Sequence, residues 1–232
     1  MKIGVFGTGV VGKTIAEKLD SLGHEIMLGT RDKEQSLART DKDRFGNAPL
    51  KDWMADHPKV KLGTFAEAAV HAKMLVNVTN GNGTMEALQS AGEGNLNGKT
   101  MLDISNPLDF SKGFPPSLFV SNTDSLAEQI QRAYPKLNVV KGLNTLTAYL
   151  MVSPRSLPDT HHIFLSGNDA AAKAEVRELL ASFGWAESEM VDLGDITTAR
   201  GTEQLLALWV RLLGPFPGGM FNFKIVQTEK QG

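Results

Sequence analysis

Lys2-Ile3-Gly4-Val5-Phe6-Gly7-Thr8-Gly9-Val10-Val11-Gly12 is the stretch whose reading decides the fold of this chain. A short apolar run reads as a strand. Gly7, Gly9 and Gly12 follow at Gly-x-Gly-x-x-Gly spacing, and the segment they open carries Val11, Ile15 and Leu19 at helical intervals before Gly23 stops it. Glycines at this spacing are a weak signal alone, but between a strand and a helix they gain a mechanism. Gly7 makes the tight turn, Gly9 lets the backbone approach a pyrophosphate, and Gly12 lets the helix lie close to the strand. The start of the helix then offers free N–H groups and a partial positive charge to phosphates. Thr8, Val10 and Val11 are the loop positions around those groups.

Outward from the loop, short apolar runs alternate with helical patterns. Strands are predicted at 25–28, 59–62, 74–78, 100–104, 118–121 and 138–141, and helices at 65–72, 84–91 and 125–133. Strands separated by helices need crossover connections, which implies an α/β Rossmann fold, a doubly wound parallel sheet with helices on both faces. Residues 32–58 read as the loosest part, with Arg39-Thr40-Asp41-Lys42-Asp43-Arg44 as a solvated face or loop. Beyond a helix start near Leu146, the pattern gives strands at 162–165 and 190–193 and helices at 170–183 and from Asp195 to about Leu213. The expectation is a Rossmann domain over 1–145 and a small C-terminal α/β domain over 146–232.

The second strand indicates which nucleotide to expect. An NAD site places an acid there, about 20 residues past the glycines, to hold the ribose 2′-OH. Here the strand ends in Leu28-Gly29-Thr30-Arg31. A guanidinium binds a 2′-phosphate through charge-assisted hydrogen bonds and stacks on adenine. Thr30 and Arg31, with Lys33 as a second cation, point to NADP(H) rather than NAD(H), while Asp32 is expected to turn outward.

Ligands in such sheets lie beyond the carboxyl ends of the strands. Thr79-Asn80-Gly81, Ser105-Asn106-Pro107, Asn122 and Asn144-Thr145 follow apolar runs, and their amides and hydroxyls suit a nicotinamide carboxamide and ribose. The same residue types also serve turns and helix caps. No catalytic residue is assigned. The Tyr-x-x-x-Lys pair of short-chain dehydrogenases is missing, since Tyr134 leads to Asn138 and Tyr149 to Ser153. His24, His57, His71, His161 and His162 do not converge, and none has metal-ligand spacing. A hydride passed between two bound redox groups mainly requires positioning.

Composition narrows the setting. The 232 residues are 41% hydrophobic and 22% charged with a net charge of -2, so no global field recruits nucleic acid or an anionic membrane. There is no cysteine, which excludes disulfides and thiolate chemistry and fits a reducing compartment. The strand begins directly after Met1, which predicts no signal peptide. Arg211 stops the apolar run Leu205–Val210 well short of the roughly 20 residues of a membrane span. A cytoplasmic protein is expected.

The opening through Gly9, the segments Gly23-His24-Glu25-Ile26 and Leu28-Gly29-Thr30-Arg31, the run Val139 to Thr145, Leu165-Ser166-Gly167-Asn168-Asp169, Asp192-Leu193-Gly194-Asp195 and the tail Met220-Phe221-Asn222-Phe223-Lys224 resemble the deazaflavin (coenzyme F420)-dependent NADP oxidoreductases over nearly the whole chain. Membrane metalloreductases carry a similar domain with added membrane helices. The resemblance implies an acceptor bound between the two domains, NADP contacts at Thr8, Val10, Val11, Thr30 and Arg31 with Lys33 nearby, and a nicotinamide region near Thr79 and Asn144. Thr79-Asn80-Gly81-Asn82-Gly83 departs from the Pro-Trp type of sequence in deazaflavin enzymes, which leaves a flavin, coenzyme F420 or a small carbonyl, imine or quinone as the acceptor.

In the last helix, Leu205, Leu206, Leu208, Trp209, Leu212 and Leu213 form an apolar face for the core or a second subunit. Arg200 pairs with Glu203 or reaches an acidic acceptor, and Met220, Phe221 and Phe223 suit a homodimer contact or a pocket wall. The leading expectation is an NADPH-dependent reductase with a small-molecule or flavin-type acceptor. The alternatives are a non-catalytic NADP(H) sensor and a hydroxyacid or alcohol dehydrogenase, the latter needing a proton relay.

Overall fold

The apolar run after Met1 becomes an interior strand of an eight-stranded sheet in the computed structural model, which describes residues 1–40, 42 and 46–228. Strand β1 (Lys2–Phe6) leads through the glycine loop into helix α1 (Val10–Ser21), and β2 (Glu25–Thr30) pairs beside β1. Helices α2 (Lys33–Ala38) and α3 (Leu50–Asp56) precede β3 (Lys61–Thr64), and α4 (Phe65–His71) leads to β4 (Met74–Asn77). Then come α5 (Gly81–Ala91), α6 (Glu93–Leu96), β5 (Thr100–Asp103), a short hairpin of β6 (Leu108–Asp109) and β7 (Ser117–Leu118), α7 (Leu126–Ala133) and β8 (Asn138–Lys141). The rest of the chain supplies α8 (Ala148–Val152), β9 (Ile163–Gly167), α9 (Ala170–Ser182), β10 (Met190–Gly194) and α10 (Ala199–Leu212).

The sheet order is β3-β2-β1-β4-β5-β8-β9-β10. The chain steps outward from β1 to β3, then crosses back to lay β4 on the other side of β1, so the topological switch point lies between β1 and β4. All pairs from β3 to β8 are parallel. Helices cover both faces, which is why β4 and β5 are buried along their whole length. One face packs Ile15, Leu19, Leu150, Val176 and Leu180, and the other Phe65, Ala68, Leu88, Ile130 and Ala199. Among the described residues, no helix is long and apolar enough to cross a membrane.

Several expectations need correction. Residues 32–58 contain two helices, because Asp32 accepts the Gln35 N–H and caps α2, while Leu50 and Trp53 bury one side of α3. Arg39, Thr40 and Lys42 are exposed, whereas Asp41, Asp43 and Arg44 lie outside the described residues. The third strand starts two residues later than expected, because Val60 N–H closes a turn onto the His57 carbonyl. The strand expected at 118–121 does not enter the main sheet. Its place beside β5 is taken by β8, and Pro115 and Pro116, which lack ladder donors, confine this region to the hairpin. The division expected at 145/146 falls between β8 and α8, and the strands beyond it continue the same sheet, with β9 antiparallel to β8 and β10 parallel to β9.

Three neighbouring strands end in polar residues at one register level, Asn77 opposite Asp103 and Asp103 opposite Lys141. The Lys141 side chain is 1% exposed, and its Nζ lies 2.8 Å from Asp103 Oδ2 and 2.9 Å from Glu203 Oε1 of α10. Burial alone would lower the ammonium, but Asp103 and Glu203 beside it hold it above its ordinary value. Glu203 also accepts the Leu126 and Ala127 N–H groups at 2.7 and 3.1 Å, docking α10 onto the start of α7. The Arg200–Glu203 pair expected from spacing does not form, because Arg200 binds Glu128 and Glu203 is spent on Lys141. Lys141→Met, which leaves two buried carboxylates unneutralised, is expected to cost about 3–5 kcal/mol in urea unfolding. A loss below about 1 kcal/mol would show that the row carries little of the stability.

Candidate functional site

The glycine loop is built from backbone constraints. Gly7 sits at φ +122°, in the region that glycine alone adopts readily, and its N–H donates to the Gly29 carbonyl at 3.0 Å. A side chain on Gly12 would put Cβ 2.1 Å from the Gly7 carbonyl oxygen, so helix and loop touch backbone to backbone. Gly9 differs, since a Cβ there would meet nothing within 4 Å. Gly9 is also the N-cap of α1 without a side-chain cap, and the first turn holds no acid. The backbone N–H groups around Val10 and Val11 therefore open onto clear space at the positive end of a helix dipole. This bare cradle fits a pyrophosphate, and Thr8 lies half-buried on the same turn.

Lys13, one turn into α1, is buried and donates from Nζ to the Ala48 carbonyl at 2.6 Å. That bond ties the segment before α3 to the loop, and Val10, Lys13, Thr14, Asn47, Ala48 and Trp53 line a small depression there.

At the end of β2 the cations are already engaged. Arg31, with 65% of its side chain exposed, donates to Glu86 of α5 at 2.7 Å. Lys33 lies 3.1 Å from Glu67. The Thr64 backbone N–H and the Lys33 ammonium hold the Glu67 carboxyl below its usual range. The Thr30 hydroxyl is buried 2.7 Å from Ser36 Oγ, which leaves Arg31 as the accessible group of the pair. Asp32 turns to the start of α2 rather than simply outward.

The polar segments beyond β4, β5 and β8 meet at the adjoining end. Gly7 packs against Val78, since a Cβ on Gly7 would lie 3.0 Å from the Val78 carbonyl oxygen, and Thr79 follows half-buried. Asn80 is exposed and caps α5 by accepting the Gly83 N–H at 2.8 Å. Gly81 is required because a Cβ there would lie 2.1 Å from the Asn106 carbonyl oxygen, which starts α5 three residues before the helix expected from apolar spacing. Asn106 and Asn144 bind each other, Asn106 Nδ2 to the Asn144 carbonyl and Asn144 Nδ2 to Asn106 Oδ1, both at 3.0 Å. Of the residues expected near a nicotinamide, Asn106 and Asn144 are thus locked as a pair and Asn80 serves a helix start. Asn122 is exposed at φ 69°.

The histidines serve local structure. His57 stacks on Trp53, His71 meets the Glu25 carbonyl, and buried His161 binds the Pro154 carbonyl and Asn222.

Sequence reasoning missed Glu86, Asn77, Asp103, Lys141 and Lys13. The signal available for three of them was a polar residue closing each of the short apolar runs 74–76, 101–102 and 139–140.

The model of the family described as NADP oxidoreductase, coenzyme F420-dependent, matches residues 2–107, the half that holds the glycine loop and Arg31. A solved chain from Arthrobacter sp. FB24, described as a candidate F420-dependent NADP-reductase, is 52% identical, with a TM-score of 0.92 over 98% of this chain and 100% of its own. This chain belongs to the NADP oxidoreductase family. The F420-dependent NADP reductase of Methanothermobacter marburgensis is 28% identical over 91% of this chain and 92% of its own length. Metalloreductase STEAP3 of Rattus norvegicus is 24% identical over 91% of this chain, which spans only 37% of that protein.

The loop geometry separates two substitutions. Gly9→Ala is expected to leave thermal stability nearly unchanged while weakening NADPH at least tenfold, because its methyl enters the open cradle. Gly12→Ala is expected to lose both, because its methyl collides with the Gly7 carbonyl. Calorimetric melting and nucleotide titration of the two variants check this, and a Gly9→Ala protein with unaltered NADPH affinity would contradict the cradle.

Proposed function

We propose that this member of the NADP oxidoreductase family is an NADPH-dependent reductase whose acceptor, a flavin, a deazaflavin such as coenzyme F420 or a small organic molecule, binds beside the nicotinamide at the crevice between β1 and β4. The observation that carries this reading is the pairing of an uncapped, unobstructed helix start at Gly9 with an exposed guanidinium, and no acid, at the end of β2. When bound, the nicotinamide supplies the hydride. The protein's own residues hold and orient. Gly7 to Gly12 present backbone donors to the diphosphate, with Thr8, Val10 and Val11 on the turn. Arg31 takes the 2′-phosphate, with Lys33 adding positive charge. Thr79 faces the nicotinamide end, and the Asn106–Asn144 pair stiffens the floor beside it.

The Arg31–Glu86 bond must exchange for phosphate. An exposed ion pair contributes about 0–1 kcal/mol, whereas a charge-assisted hydrogen bond to phosphate contributes roughly 1.5–3 kcal/mol, so the exchange favours binding. A homodimer and a cytoplasmic setting are part of this proposal. The exposed apolar residues Leu208, Phe216, Met220 and Ile225 support the dimer, which light scattering would test.

Arg31→Ala is expected to weaken NADPH roughly tenfold or more while changing NADH by less than about threefold. Glu86→Gln, which removes the competing carboxylate, is expected to tighten NADPH about two- to fivefold. Nucleotide titrations check both, and equal losses for the two nucleotides in Arg31→Ala would contradict the assignment. A panel of flavin, deazaflavin, quinone and imine acceptors, followed by NADPH absorbance, tests the acceptor. Tight NADPH binding with no acceptor reduced would overturn the reductase reading.

A further inference from the structure

Thr79 stands half-buried at the crevice, and its hydrogen bonds are set from deep inside the protein. The row begins at Lys141, whose ammonium can only donate, and which donates to Asp103 Oδ2 at 2.8 Å. The other oxygen of that carboxylate accepts from Ser105 Oγ at 2.7 Å and from Asn77 Nδ2 at 2.8 Å. The carboxylate fixes which way the Asn77 amide faces, with its NH2 toward Asp103 and its oxygen toward Thr79. A second bond requires the same orientation, because the Thr79 backbone N–H can only donate and lies 3.3 Å from Asn77 Oδ1. The Thr79 hydroxyl, 2.7 Å from that oxygen, therefore gives its single hydrogen to Asn77. Thr84 Oγ1 lies 2.8 Å from Thr79 Oγ1 and 3.1 Å from the Asn80 carbonyl, so its own hydrogen goes to one of those oxygens. In both arrangements the Thr79 hydrogen stays on Asn77, and even when Thr84 donates to Thr79 the Thr79 oxygen keeps a second lone pair with which to accept.

We propose that the Lys141–Asp103–Asn77 row makes the Thr79 hydroxyl an acceptor only, so that it recognises the carboxamide NH2 of the nicotinamide rather than its C=O. This assignment rests on the nucleotide site proposed above. Thr79 is the contact residue, while Asn77, Asp103 and Lys141 are positioning residues that act through it. A fixed acceptor distinguishes the two ends of a carboxamide, whereas a freely rotating hydroxyl would bind either the C=O or the NH2.

The test compares NADP+ with its 3-acetylpyridine analogue, which keeps the phosphates and the carbonyl but has a methyl in place of the NH2. Affinities are measured by titration calorimetry for the full-length wild type, Thr79→Val and Thr79→Ser. Thr79→Val is expected to weaken NADP+ about three- to tenfold and the analogue by less than about twofold, and Thr79→Ser is expected to restore NADP+ binding. Asn77→Ala, which frees the hydroxyl to rotate, is expected to erase most of the preference of the wild type for NADP+ over the analogue. Should that buried variant fail to fold, the Thr79 pair decides the matter alone. Equal losses of both nucleotides in Thr79→Val would overturn this assignment while leaving the nucleotide site intact. A wild type that binds neither nucleotide would overturn both.

Discussion

The ammonium of Lys141 is shut away from water and must be neutralised by groups that reach it from separate parts of the chain. Asp103 comes from the neighbouring strand, Glu203 from the last helix, and the Ser105 carbonyl from the turn after β5. Taking a charge out of water costs several kcal/mol unless its partners are in place. Strand order, the docking of α10 and the shape of the 105–106 turn are therefore coupled through one nitrogen atom. A one-residue slip of β8 would send Lys141 to the other face of the sheet and leave both carboxylates unpaired. The same arrangement orders the floor of the crevice, since Asn77, the Ser105 turn and, through Asn106, Asn144 all adjoin it.

Much of this was legible beforehand because it depends on local rules. Strand, glycine loop and helix at the N-terminus follow from spacing, and the missing acid after β2 is visible by inspection. The buried parallel strands announce themselves as unbroken apolar runs, because both of their faces are covered. What escaped the sequence depends on contacts between distant residues. Lys141 and Glu203 are separated by most of two helices and two strands, and a lysine after Val139-Val140 reads equally well as a solvated strand end. Periodicity predicts a sheet strand at 118–121 because it cannot say which strand already occupies the edge of β5. The sequence predicts the start of α5 three residues late because Gly81 and Gly83 look like a turn, whereas Gly81 lets the helix lie against the Asn106 backbone.

At the end of β2, two cations that suit a phosphate are held by carboxylates, Arg31 by Glu86 and Lys33 by Glu67. Both pairs are substantially exposed, so each is weakly held and open to exchange. With a net charge of only -2, the chain has little global field to offer an anion, and in the proposed site the balance between phosphorylated and unphosphorylated ribose would be set by local exchange. Glu67 is tied more firmly, because it also caps α4 through Thr64, which makes Arg31 the readier partner of the two.

The reversal of direction between β8 and β9 has a practical consequence for handling this protein. Because β9 runs against β8, with Lys141 opposite Ser166, it begins at the end of the sheet where β8 finishes. The tail is fastened to that same end, with Asn222 bound to His161 and to the His162 carbonyl at 2.8 and 3.0 Å. The amino terminus sits at the far end, its ammonium 3.1 Å from His24 Nδ1. Anchoring the molecule to an electrode or resin through its first residue thus leaves the mouth of the crevice facing outward, whereas a tether on the tail would crowd it.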